Sequence, residues 1–388
     1  MDKLIYLDHN STTPPDPRVV EAMMPYYNEA WGNASSLHQF GRHAKAGVEE
    51  AREIIAKTFN CLPEEIYFTS GGTESDNFAV KGAAYEHQNK GKHIITSKIE
   101  HHAILESFAF LEEEGFEATY LPVDQYGFVD PDDLRKAIRP DTILVSVMYA
   151  NNEVGTIQKM DELASVCQEK GVIFHTDAVQ AAGKIPIDLK RTPITLMSTS
   201  GHKIYGPKGV GILYIRQGTR MIRWQTGGAH ERGMRAGTEN VPAIVGYGKA
   251  MELAQKEMKD NDRKISAMAE EFRNTVLREI PDVRFNGPEE ERIKATVNLC
   301  FKGAEGEAVI LNLDMMGIGV TSGSACTSGA LEPSHVLTAM GVPPELAQSA
   351  IRFSFGKDND PEDIDYIVNS LKTAIEKLRM MSPFYQSQ

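Results

Sequence analysis

Cysteine is scarce in this chain, with four residues in 388, at positions 61, 167, 300 and 326, and no Cys-x-x-Cys among them. Such spacing argues against a disulfide framework and a zinc knuckle, and the thiols are expected to be reduced. Basic residues are also in deficit, 41 against 54 acidic ones for a formal charge of −13, and they are scattered rather than blocked. A nucleic-acid surface needs a basic face, so no nucleic-acid partner is expected. No run of 18 apolar residues occurs, and Met1-Asp2-Lys3-Leu4-Ile5 lacks the basic flank and apolar core of a signal segment. The expectation is a cytoplasmic protein with no membrane partner. Nucleotide motifs are missing too. Gly201 to Gly206 begins like a Walker A loop, but Pro207 stands where its lysine belongs, and Gly317-Ile318-Gly319 lacks a correctly spaced third glycine. ATPase and NAD readings fall away. His101 and His102 are adjacent without a His-x-x-x-His or third-ligand spacing, which leaves a catalytic metal unsupported.

What is present is a long alternation. Short apolar runs at 66–68, 93–96, 142–148, 172–174 and 210–215 alternate with helical periods such as 42–59 and 160–170, the latter closed by Gly171. That rhythm predicts a mostly parallel sheet covered by helices. Beyond the charged helical stretch 250–273 the rhythm changes, with strands expected near 296–301, 319–321 and 351–355. Ile364, Ile367, Leu371, Ile375 and Leu378 then recur at helical spacing. The fold class is therefore α/β with a smaller α+β part, and 388 residues exceed one ordinary domain. The expected division is a large domain of residues 15–258 and a small one of 1–14 plus 259–388.

Three constellations carry chemistry. The run 172–177 ends in Asp177, and the run 196–200 ends in Ser200 followed by Gly201-His202-Lys203. A lysine amine, a carboxylate and hydroxyl or amide donors at strand ends of a parallel sheet match the needs of pyridoxal phosphate: aldehyde, pyridine nitrogen and phosphate. Thr69-Ser70-Gly71-Gly72-Thr73 follows a strand and opens a helix, so Gly72 and Thr73 are expected to share the phosphate with Ser200 and His202. His101 falls at the same crevice and suits ring stacking and proton transfer. Asn152 and Gln180 are placed to reach the ring oxygen, and His102 is given no role. The third constellation, Thr321 to Gly329, is small, polar and glycine-bearing, and it reads as a mobile loop exposing Cys326. A thiolate there could attack sulfur. Cys167 and Cys300 read as core packing, and Cys61 has no chemical company.

With these residues assembled, the chain resembles the NifS/IscS cysteine desulfurases, within the fold-type I, class V aminotransferase group of pyridoxal phosphate enzymes. The likeness runs nearly end to end. It includes Asp8 with Thr12-Thr13-Pro14, Gly32-Asn33, the 69–77 turn, Glu100-His101, Asn151-Asn152-Glu153, Asp177 to Gln180, Ser200 to Pro207, the 228–237 stretch, Ile351-Arg352 and the Ser322-Gly323-Ser324-Ala325-Cys326 loop with Leu331-Glu332-Pro333-Ser334. The resemblance implies that Lys203 binds the cofactor aldehyde as a Schiff base, Asp177 pairs with the pyridinium and His101 stacks on the ring. Gly72, Thr73, Ser200 and His202 would hold phosphate, Asn152 and Gln180 would orient the ring, and Thr238 would reach the phosphate of the other subunit of a homodimer. Arg352 and Asn33 would bind L-cysteine. Cys326 would take its sulfur as a persulfide, release alanine and pass sulfur to an iron-sulfur scaffold or another acceptor protein; it could also be a transient iron-sulfur ligand. Three departures accompany the likeness: a chain end at Gln388 where housekeeping IscS proteins carry a longer tail that helps dock the scaffold, Thr321 for a common serine, and Gly72 for a common alanine.

Two other readings stay open at this level. An aminotransferase or selenocysteine lyase of the same fold would need Lys203 and Asp177 but not Cys326. A non-catalytic sulfur carrier or assembly platform would use Cys326 alone, with Lys203, Asp177 or His101 lost; all three are present.

Overall fold

Strands form where β-branched and apolar residues are buried on both faces, and the computed structural model describes residues 4–323, 333–382 and 385. Among the described residues the strands make sheets of seven, three and two. The largest runs in the order Ile66–Thr69, Gly211–Ile215, Leu196–Ser200, Ile173–Asp177, Thr142–Ser146, His93–Ser97 and Glu117–Leu121. From Leu196–Ser200 to the Glu117–Leu121 edge every pair is parallel. Gly211–Ile215 alone runs the other way, antiparallel to both its neighbours. Crossovers between parallel strands need helices, and those helices cover both faces.

Alternation along each strand assigns its side chains to opposite cores. Ile95, Val145, Met197 and Ile212 join one cluster with Val48 and Ile55, whereas Ile94, Leu144, Leu196 and Leu213 join the other with Phe78, Ile104 and Phe108. Strand by strand, the next residue faces the other way. Since the strands point in common, their carboxyl ends and the turns after residues 69, 97, 146, 177 and 200 collect along one edge, the position where such sheets bind ligands.

The helix Val241–Glu279, 39 residues long, links this sheet to the rest. Its early residues Val241, Ile244, Tyr247 and Met251 pack with the helix Gln39–Thr58, and its late residues Met268, Phe272 and Val276 join Val297, Leu299, Phe353 and Leu371. The second core lies under the three-stranded antiparallel sheet Ala350–Ser354, Thr296–Phe301, Val283–Asn286. Ile5–Tyr6 pairs in parallel with Ile318–Gly319. The expected strand at 319–321 is thus displaced: Thr321 makes an isolated bridge to Arg352 instead. The helix expected from residue 42 begins at Gln39, because the His38 ring accepts the Gly41 N–H and caps it. Cys167 and Cys300 are buried as expected, and burial pushes both thiols up, to about 12 and about 11.

Close approach of the two long helices depends on Gly248, where an added Cβ would lie 2.7 Å from the Ala51 Cβ and 2.8 Å from its Cα. Backbone cannot retreat as a flexible side chain can. Gly248→Val is therefore expected to destabilise the protein by about 1–3 kcal/mol, measured by urea denaturation; an unchanged midpoint would show that the helices separate freely.

Candidate active site

Asp177 ends its strand with its side chain 5 % exposed, and its Oδ1 accepts the Val179 N–H at 2.9 Å. Burial raises its pKa, while the charges of His101 and Lys203 pull it back down. His101 sits before the helix His102–Glu113, and its Nδ1 accepts the Ala103 N–H at 3.1 Å. An accepting Nδ1 leaves Nε2 as the proton-bearing nitrogen of the neutral ring. Burial lowers the His101 pKa, opposed by Asp177 and aided by Lys203. The three predicted residues thus share one electrostatic environment.

Lys203 closes the short 3-10 turn Gly201–Lys203, and its Nζ donates to the carbonyls of Asn10 at 2.6 Å and Ser11 at 2.8 Å. This N-terminal segment threads between the sheets. The Asn10 carbonyl also accepts from Gln180 Nε2 at 2.9 Å, and Asn10 Nδ2 donates to the Asn152 carbonyl at 3.0 Å and to Thr296 Oγ1 at 2.8 Å. The His202 Nδ1 lies 3.1 Å from Thr12 Oγ1, and burial with the Lys203 charge lowers its pKa to about 4. Arg352 is fixed by Asp8 Oδ1 at 2.8 Å and Ser11 Oγ at 2.7 Å through Nη2, and by the Asn152 carbonyl at 3.0 Å through Nη1.

The helix Gly72–His87 begins with no side chain capping its N-terminus. Its first residue is close to Ser200: a Cβ built on Gly72 would stand 3.6 Å from the Ser200 Cβ and 2.8 Å from Val179 Cγ2. Exposed N–H groups of a helix beside a serine hydroxyl form a ready anion site. An amine, a buried carboxylate, an imidazole and an anion cradle therefore meet at one sheet edge. Asn33 and Thr238 do not join them. Both are exposed, and the Asn33 Oδ1 is occupied locally by the Ser35 N–H at 2.8 Å. Cys326 lies outside the described residues.

The sequence pattern of the family Aminotransferase class-V matches residues 5–367. The cysteine desulfurase IscS of Dictyoglomus turgidum is 52 % identical over 386 residues, covering 100 % of this chain and 98 % of that protein. The chain belongs to this family. Within it, the chain falls among the NifS/IscS-type cysteine desulfurases: the IscS of Methanosarcina thermophila is 50 % identical over 98 % of this chain and 94 % of its own length. A solved NifS-like protein superposes with a TM-score of 0.91 at 38 % identity, covering 97 % of this chain and all of that one. The solved structure of SspA in complex with cysteine gives 0.82 at 34 % identity over 91 % of this chain and 99 % of that one.

This class-V site holds more buried titratable groups than sequence reasoning singled out. Asp76 is 1 % exposed, and its Oδ1 has no hydrogen-bond partner among the described residues. Burial, then the nearby Asp177, raises its pKa. It faces His175, whose ring bridges Ser146 Oγ at 2.8 Å and Ser198 Oγ at 3.0 Å and whose pKa burial lowers to about 3. His175 is two positions before Asp177 on one strand and hence on the same face, the one signal that could have found it. Lys184 donates to Gln180 Oε1 at 2.7 Å, and burial, then Lys203, lowers its pKa to about 7.

Glu100 accepts from Ser97 Oγ at 2.5 Å and the Met148 N–H at 3.0 Å, yet burial lifts its pKa to about 8. A carboxyl raised in the folded state binds its proton more tightly there than in the unfolded chain. Its stabilising contribution is full below the unfolded value and is lost as pH rises towards 8. The stability of Glu100→Gln relative to wild type should accordingly rise by a few kcal/mol between pH 5 and pH 8, read from urea denaturation at each pH. A difference independent of pH would mean that Glu100 is already ionised at pH 5.

Proposed function

We propose that the chain is a pyridoxal-phosphate-dependent cysteine desulfurase that converts L-cysteine to L-alanine and carries the sulfur as a persulfide on Cys326. The observation that bears this reading is the convergence of Lys203, Asp177 and His101 beside an uncapped helix N-terminus. These residues fit the cofactor. The helix start with Ser200 suits a phosphate, Asp177 suits a cationic ring nitrogen that would offset its burial, and Lys203 supplies the amine. Gly72, Thr73, Ser200 and His202 would hold the phosphate, with Thr238 contributed to the other site of a homodimer, and Asn152 and Gln180 would orient the ring. When bound, the cofactor supplies an electron sink for the substrate Cα.

The chain's own residues do the rest. Arg352, already aligned by Asp8, Ser11 and the Asn152 carbonyl, would bind the cysteine carboxylate. Lys203 Nζ and His101 Nε2 would hold and move protons at the substrate. The Cys326 thiolate would form an S–S bond to the substrate sulfur while the C–S bond breaks, its electron pair staying on carbon, which takes a proton to give alanine. The persulfide then serves an iron-sulfur scaffold or another acceptor protein, in the cytoplasm; no helix among the described residues is long and apolar enough to cross a membrane. A transient iron-sulfur ligand role for Cys326 belongs to the same reading.

The cores on the large sheet and the separate core under the three-stranded sheet, with the helix Val241–Glu279 changing partners between Leu253 and Met268, support a division into residues 15–258 and 1–14 plus 259–388. The cysteine held by SspA, whose fold this chain shares, supports L-cysteine as substrate over an aminotransferase reading.

Purified holoprotein incubated with L-cysteine and a reductant should release alanine and sulfide in equal amounts. Cys326→Ala should keep the cofactor's visible absorbance and lose persulfide and sulfide formation; full sulfide release by that variant would remove the assigned nucleophile. Lys203→Ala should lose the borohydride-trapped cofactor adduct, and an unchanged adduct would place the linkage on another lysine.

A further inference from the structure

Glu153 follows the two asparagines at the sheet edge and is 2 % exposed. Its backbone N–H donates to Asn151 Oδ1 at 2.9 Å, and Asn151 Nδ2 donates to the Ile99 carbonyl at 3.1 Å, so its position is tied to the turn that carries His101. Its carboxylate reaches a different segment. Oε2 accepts the hydroxyl of Ser334 at 2.6 Å, and Ser334, itself 4 % exposed, caps the helix His335–Ala339 by accepting the Leu337 N–H at 3.2 Å. The same carboxylate lies beside Gly323. A Cβ built on Gly323 would stand 3.2 Å from Oε2 and 3.3 Å from Cγ, and its φ of +86° is a conformation that favours glycine.

Gly323 and Ser334 flank the stretch of sequence that contains Cys326. Just before it, the Thr321 carbonyl accepts the Arg352 N–H at 2.7 Å, and the Arg352 guanidinium reaches back to the Asn152 carbonyl at 3.0 Å. One buried carboxylate therefore hydrogen-bonds one flank of the cysteine segment and lies beside the other, where it occupies the space a side chain at 323 would need, and its own backbone adjoins the residue that holds Arg352.

We propose that Glu153 is a positioning residue for sulfur transfer: it binds Ser334 and packs beside Gly323, the two described residues that flank the Cys326 stretch. The assignment rests on Cys326 being the sulfur-accepting nucleophile. Glu153 touches neither reacting sulfur, and its effect passes through the Ser334 hydroxyl and the packing at Gly323.

The test uses full-length holoprotein mixed with excess L-cysteine, reading the single-turnover rate of persulfide formation on Cys326 by mass spectrometry. Cofactor affinity, the cysteine concentration giving half of the absorbance change, and the melting temperature are read alongside. Glu153→Ala and Ser334→Ala should each slow persulfide formation at least tenfold, and the double variant should be no more than about twofold slower than the slower single, because the two groups act as one unit. Cofactor affinity and half-saturation should stay within about twofold of wild type in all three. A wild-type rate in Glu153→Ala, a double variant whose losses multiply, or a loss matched by equally weakened cofactor and cysteine binding would each overturn the proposal. If Glu153→Ala does not fold, Ser334→Ala decides the matter alone, its wild-type rate counting against the proposal and its tenfold loss at unchanged half-saturation counting for it. Absence of any Cys326 persulfide in wild type would instead remove the proposed nucleophile, and this role with it.

Discussion

The contact on which the rest depends is the ammonium of Lys203 on the carbonyls of Asn10 and Ser11. Residues 8–13 belong to no strand, although Asp8 bridges Ser354, and they supply acceptors to Lys203, Gln180 and Arg352 and place Thr12 against His202. Bonds from a charged donor to carbonyl oxygen are roughly twice as strong as neutral ones, so this short segment holds the large sheet and the three-stranded sheet in one register. Asn10 strengthens the joint by reaching Asn152 on one side and Thr296 on the other. The arrangement also tolerates the loss of one donor. If Lys203 commits its nitrogen to an aldehyde, the Asn10 carbonyl keeps the Gln180 amide and is not left bare.

Charge in the site follows from burial more than from pairing. Asp76, Glu100 and Asp177 are all buried, and burial is the main force raising each. Neighbouring carboxyls deprived of water cannot all ionise. The competition is settled by geometry: Asp177 has His101 and Lys203 beside it, whereas Asp76 and Glu100 each retain an oxygen with no partner among the described residues. Asp177 is thus the carboxyl favoured as an anion, and it is the one at the strand end where a cationic ring nitrogen would lie.

What could be read from the sequence was whatever lies next to a strand end. Asp177, Ser200 and Lys203 each close or follow an apolar run, and His101 follows another, so period and position were enough to bring them together. Asn10 and Ser334 gave no such signal, and Glu153, which follows the run 142–148, gave its position but not its partner. Their partners are 193 residues away for the Lys203 contact and 181 for the Glu153 contact, and neither periodicity nor turn chemistry encodes a contact of that range. The edge strand Glu117–Leu121 escaped for a different reason: it is exposed or half-buried along most of its length and lacks the unbroken apolar run of its neighbours. For Arg352, expected to bind the substrate carboxylate, nothing in the sequence signalled what aligns it: Asp8, Ser11 and the Asn152 carbonyl hold its guanidinium and fix its plane.

The division of labour between these groups explains how one family can serve several reactions. In the proposed reading Lys203, Asp177, His101 and the helix terminus would provide what amino-acid chemistry on the cofactor requires, and they stand at the ends of strands and helices whose positions the cores fix. Sulfur removal adds one demand, a second nucleophile brought to a distant atom of the substrate and then released towards an acceptor. A rigid element would meet the first half of that demand and fail the second, whereas a free chain would present its thiol at too low an effective concentration. A segment held only at its flanks would satisfy both, since closure cost grows only slowly with length. Under the proposed role, the bond from Ser334 to Glu153, on the crossover that also carries Asn151 and Asn152, would couple the added function to the existing site without changing the residues proposed to hold the cofactor.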